Sequence, residues 1–172
     1  MIKYRARDLS IGGLFGALGV AVPVLFHMVG MGTLFLPMHL PILICGLYVS
    51  VPVAFAVGVV TPLISSALTG MPPLVPTGVL MMLELGVLAG SASLFGRRLK
   101  LPVILSVILA MTAARLVGGL ERVVIAPLMG LQQGFVAYLA FSVIESWPGI
   151  ALQIVVAPIV VRIIGTHIRK AA

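Results

Sequence analysis

The sequence predicts an all-α integral membrane protein of six transmembrane helices, with both termini cytoplasmic and a ligand cup open to the outside. Three observations carry this. Of 172 residues, 61% are hydrophobic and 9% charged, at a mean hydropathy of +1.27; a soluble domain carries about 25% charged residues. So few charges cannot cover the surface of a soluble globule. The cations fall in three clusters separated by apolar spans: Lys3, Arg5 and Arg7; Arg97, Arg98 and Lys100; Arg162, Arg169 and Lys170. Six spans put all three on one side, which the excess of Lys and Arg marks as cytoplasmic. Five spans would put the tail outside and break the pattern. Gly, Ala and Pro are frequent, which suits helices that pack closely in lipid.

The elements follow in order within one transmembrane domain, residues 1–172. Helix 1 spans about 8–29, with Asp8 or Ser10 near its N-cap. Its apolar run of about 20 residues exceeds the roughly 7–15 of a signal-peptide core. Gly13, Ala17 and Ala21 recur every four residues and make one smooth face. Gly30 to Thr33 is a turn. Helix 2, about 36–50, is short or tilted, and Pro37 and Pro41 shape its start. Helix 3 spans about 52–68. Met71 to Pro76 is a loop with three prolines, after which Thr77 is placed to cap helix 4, about 77–95. Helix 5 runs over about 101–129 if it passes through Gly118 and Gly119. Residues 135–144 are too short to span and read as an interfacial segment. Trp147-Pro-Gly149 then opens helix 6, about 148–165, with proline in its first turn.

Ionisable residues inside a membrane are functional candidates, because burying them is costly. Glu84 and Arg115 fall in adjacent helices, each about 10 Å below the outer face at 1.5 Å per residue. That matching depth lets them pair, either as a structural ion pair or as part of a ligand site. Arg122 lies seven residues after Arg115, on the same helix face; Glu121 beside it reads as interfacial. His39 opens helix 2 at the outer edge, with His27 near it. Gln153 lies just inside helix 6. Trp147 is an interfacial anchor first and a stacking surface second. Phe35 and Met71, in the two outer loops, complete the candidate rim. These groups cluster in the outer half, whereas a channel needs polar lining through the full thickness.

Several classes are excluded. The cations form no nucleic-acid patch, and the chain has one cysteine, Cys45. It lacks a phosphate-binding Gly-x-x-x-x-Gly-Lys loop, and no Gly-x-Ser-x-Gly or His-Glu-x-x-His supports an enzyme. Nothing calls for a cofactor or a metal. A solitary facilitator would need polar groups in the inner half.

Phe35-Leu-Pro-Met-His39-Leu-Pro41-Ile-Leu-Ile-Cys-Gly46, Thr61-Pro-Leu-Ile-Ser-Ser-Ala-Leu-Thr-Gly70-Met-Pro-Pro73 and Met82-Leu-Glu84-Leu, with the late Trp147-Pro-Gly149 turn, resemble the substrate-binding (S) components of energy-coupling factor (ECF) transporters. The resemblance implies a multi-pass subunit of a prokaryotic plasma membrane that captures a vitamin or related micronutrient. Its implied partners are a transmembrane coupling subunit and two cytoplasmic ATPases, which hydrolyse the ATP. The helix 1 face of such components contacts the coupling subunit, and the matching positions are Ala17 and Ala21, with Gly13 continuing the face. The Val49-Ser-Val-Pro52 turn departs from the family's expected basic or glycine-rich turn. Arg115 and Arg122 suit a carboxylate, as in pantothenate. A neutral pyrimidine such as hydroxymethylpyrimidine, or a pyridoxine-like vitamin, is satisfied instead by Glu84, His39 and Gln153.

Overall fold

The computed structural model describes residues 6–28, 30 and 35–170, without the side chains of 27 and 164–170. Lys3, Arg5, the Met31–Thr33 part of the expected turn and the side chains of His27, His167, Arg169 and Lys170 therefore lie outside the described residues. Among those described, the chain is helical with no strand. Five stretches are long and apolar enough to cross a membrane.

Helix α1 covers Ala6–Met28. Helix α2, His39–Tyr48, has ten residues, about 15 Å of rise against roughly 30 Å of hydrocarbon. It starts later than the sequence suggests because Leu36 adopts φ +48° and turns the chain there. The His39 N–H donates to Leu36 O at 2.9 Å across this turn. Helix α3 is Val51–Thr69 and ends at Gly70, whose φ of +72° permits the turn-out. Helix α4, Val79–Ser93, is flanked by wide turns at Leu74–Gly78 and Leu94–Arg98. No side chain caps it, so Thr77 does not have the capping role expected of it.

Helix α5 is Val103–Val124. It stops short of Met129 because Pro127 forces a tight Ala126–Met129 turn. Helix α6 runs from Phe135 to Lys170, with a break at Ser146 (φ −102°, ψ 18°). The 135–144 stretch is thus the first part of α6 and continues into it, rather than a separate interfacial segment. Pro148 cannot donate to the carbonyl one turn back, and Ser146 Oγ donates to Ser142 O. Both effects bend a helix without ending it.

Helix α4 is the centre, packed against α2, α3 and α5, while α1 lies on α2 and α3, and α6 on α5 and α2. In lipid there is little hydrophobic drive between helices, so close backbone approach matters. A side chain at Gly46 would run into Ala89 O, and one at Gly58 into Leu85 O. These two glycines let α2 and α3 seat against α4. Gly58→Val is expected to cost about 1–3 kcal/mol by overpacking, read as a lower thermal midpoint in detergent.

Polar contacts fix the helix ends. Asp8 lies in the first turn of α1 instead of capping it, because the helix starts at Ala6; Ser10 Oγ donates to Ala6 O. The buried Asp8 carboxylate accepts from Ser50 N–H at 2.8 Å, at the start of α3, and stands 3.5 Å from Arg97 Nη1 at the end of α4. The α1 start, the α2–α3 turn and the α4 end therefore share one end of the bundle. Tyr48 Oη donates to Val161 O at 3.0 Å, bringing the end of α2 and the far part of α6 together. Asp8→Ala removes the partner of a half-buried N–H and is expected to cost about 1–2 kcal/mol, measured as a shift in the unfolding midpoint.

Candidate functional site

The site starts from one ion pair. Glu84, in the middle of α4, is buried, and Arg115 Nη1 on α5 donates to its Oε1 at 2.9 Å. The pairing expected from depth is present. The second half of the Arg115 fork goes to α6: Nη2 donates to Ser146 Oγ at 3.2 Å, and Nη1 reaches Tyr138 Oη at 3.4 Å. One guanidinium thus ties α4, α5 and both sides of the α6 bend together, using the planar donor geometry that Lys lacks. Tyr138 fits against α5 because Gly118 has no side chain; a Cβ there would stand 2.6 Å from Tyr138 Oη.

Two groups extend this core. His39, buried at the start of α2, places Nε2 3.8 Å from Glu84 Oε1, too far for a hydrogen bond. Arg122 sits over the Tyr138 ring, 4.8 Å from its centroid, within cation–π range. The expectation that Arg115 and Arg122 share a face holds, since both meet Tyr138.

Gln153 follows from register. Tyr48 and Val161 meet, and α2 and α6 each run from the ion-pair end towards that contact. Nine residues back along α2 reach His39, and eight back along α6 reach Gln153. At 1.5 Å per residue these steps are about 14 and 12 Å, so Gln153 lies level with His39. On α5, Ala110, Ala114, Gly118 and Glu121 form one buried stripe. Glu121 is 2% exposed and is not the interfacial residue the sequence suggests.

Four of these residues are chemically unfinished. Both ring nitrogens of His39, both carboxylate oxygens of Glu121, Nε and Nη1 of Arg122, and both amide atoms of Gln153 are buried with no hydrogen-bond partner. Leaving such groups unpaired costs about 1–3 kcal/mol each, more for charges. They supply acceptors at Glu121, donors at Arg122, and both kinds at His39 and Gln153. The arrangement is suited to hold a small polar molecule by many hydrogen bonds.

The other rim candidates stand apart from this column. Trp147 is 65% exposed, next to Ser146. Met71 is exposed, and its carbonyl accepts from Ser65 Oγ at 2.6 Å. Phe35 is half-buried with its ring 5.7 Å from that of Phe26. Tyr138 and Ser146 belong to the site and were missed, because both fall in or beside the stretch read as interfacial. The signal available was Ser142-x-x-x-Ser146 before Pro148.

On the outside of the bundle, Gly13, Ala17 and Ala21 line an apolar groove of about 680 Å³ between α1 and α3, together with Gly16, Ala56 and Val60. None of the three is buried.

Residues 7–161 match the family model described as ECF transporter, substrate-specific component. No curated protein and no solved structure matches the chain.

Proposed function

The chain belongs to the substrate-specific components of ECF transporters, and from that premise we propose that the column from Gln153 and His39 to Glu121 and Arg122 is its vitamin site. As a member of that family it is a substrate-binding transport subunit and not an enzyme. The observation that carries the site is the set of buried, unpartnered atoms on four residues from α2, α5 and α6. Arg115 is committed to Glu84, Tyr138 and Ser146, so Arg122 is the guanidinium with free donors. It receives the ligand's acceptor group, the carboxylate in the case of pantothenate. Glu84 and Arg115 orient the column, and Phe35, Met71 and Trp147 form its rim.

A second reading rests on Glu121 and Gln153. Their unpartnered acceptors call for N–H or O–H donors, which hydroxymethylpyrimidine or a pyridoxine-like vitamin supplies better than a carboxylate. Mass spectrometry of small molecules carried through mild detergent purification separates the two. Isothermal titration with pantothenate, hydroxymethylpyrimidine and pyridoxine gives the affinities. Arg122→Ala is expected to weaken a carboxylate ligand by about 2–5 kcal/mol. An unchanged affinity removes Arg122 from the site.

We place the polar column on the outer side and the Arg7, Arg97 and Arg98 end in the cytoplasm of a prokaryotic plasma membrane. Alternation of the helices supports six crossings, with α2 crossing only in part. The Gly13, Ala17 and Ala21 face takes the coupling subunit, and two partner ATPases supply the energy. A solitary facilitator would not co-purify with ATPase subunits, which makes co-purification the discriminating observation.

A further inference from the structure

The end of the bundle away from the polar column carries a second polar feature that vitamin binding does not use. A cleft of about 340 Å³ lies between the start of α3 and the end of α4, lined by Ser50, Val51, Pro52, Ser93, Arg97 and Arg98. The wide turn Leu94–Arg98 brings two successive arginines to it. Arg97 is shared with Asp8, whereas Arg98 makes no ion pair among the described residues. Of the four acids, Asp8, Glu84, Glu121 and Glu145, only Asp8 is at this end. Arg7, Arg97, Arg98 and Lys100 leave the end strongly positive.

The cleft does not stand alone. Pro52 also lines the apolar groove between α1 and α3. A cationic cleft therefore opens into an apolar channel along the outside of the bundle. We propose that cleft and groove together hold one anionic phospholipid, with its phosphate against Arg97 and Arg98 and one acyl chain along α1 and α3. Guanidinium groups bind phosphate oxygens with charge-assisted hydrogen bonds. A free phosphate would satisfy the arginines but leave the groove empty, so the continuity through Pro52 selects the lipid. The inference goes beyond the vitamin site and does not depend on which vitamin is bound. Because the groove is also the proposed docking face, lipid and coupling subunit occupy it in turn.

The test uses the full chain in mild detergent, titrated separately with dioleoylphosphatidylglycerol, dioleoylphosphatidylcholine and inorganic phosphate. Native mass spectrometry counts bound lipid, and the thermal midpoint reads stabilisation. One phosphatidylglycerol is expected to be retained in preference to phosphatidylcholine. Arg98→Gln is expected to weaken it about fivefold, the equivalent of about 1 kcal/mol per basic residue. Ala56→Phe, which fills the groove, is expected to weaken it while leaving the arginines intact. Equal retention of the two lipids, or no response to Arg98→Gln, overturns the proposal. Stabilisation by inorganic phosphate equal to that by the lipid, with Ala56→Phe silent, shows a free-anion site and overturns the lipid assignment.

Discussion

Glu84→Ala is expected to cost about 3–5 kcal/mol of stability, because it leaves the Arg115 guanidinium buried without its anion. The effect is large for the same reason that the pair is informative. Arg115 Nη1 loses its 2.9 Å partner, and its remaining neighbours, Ser146 and Tyr138, are neutral. Arg115→Ala leaves the converse defect, an isolated carboxylate on the central helix. The double variant Glu84→Gln with Arg115→Met removes both charges, and its cost is expected to fall well below the sum of the single changes. Unfolding midpoints of the four proteins in one detergent measure this coupling. The double variant also decides between the two roles left open by the sequence. If the pair is only structural, the refolded double variant binds vitamin like the wild type. If it orients the ligand column, the double variant folds and binding is lost. A normal affinity in a stable double variant removes Glu84 and Arg115 from the site.

The ion pair was legible because helical rise alone puts Glu84 and Arg115 at the same depth, and charges in lipid have few alternatives to pairing. The family was legible from the proline-flanked His39 segment, the Thr61–Pro73 run and the Glu84 motif. The membrane class followed from composition. Other parts were hidden for physical reasons. Pro148 after Trp147 has the look of a helix start, yet here it bends a helix that began at Phe135. That misplacement hid Tyr138 and Ser146, whose contacts with Arg115 need the continuous α6. Glu121 looked interfacial because it sits between apolar residues near a helix end. Its burial depends on the Ala110, Ala114 and Gly118 stripe facing the core, which requires knowing which α5 face meets α4. The length of α2 turned on one left-handed residue, Leu36, a conformation that no propensity assigns to leucine.

Ala17→Phe is expected to uncouple the subunit from its partner while leaving vitamin affinity unchanged. Ala17 is exposed on α1 and lines the groove with Gly13 and Ala21, on the side of the bundle away from Arg122 and Tyr138. A small-residue face lets another helix approach closely, and one large side chain holds the two backbones apart. Overpacking of this kind costs about 1–3 kcal/mol, or roughly five- to 150-fold in association at tenfold per 1.4 kcal/mol. The proposed measurement is paired: recovery of the coupling subunit and ATPases on tagged protein, and vitamin affinity of the solitary subunit by titration. Loss of co-purification with intact affinity locates the docking face on α1. Unchanged co-purification and uptake with Ala17→Phe, and again with Gly13→Phe, moves the docking face elsewhere. The remaining candidate face would then be α6, whose exposed Val136, Phe141 and Ile144 lie on the far side of the ion pair.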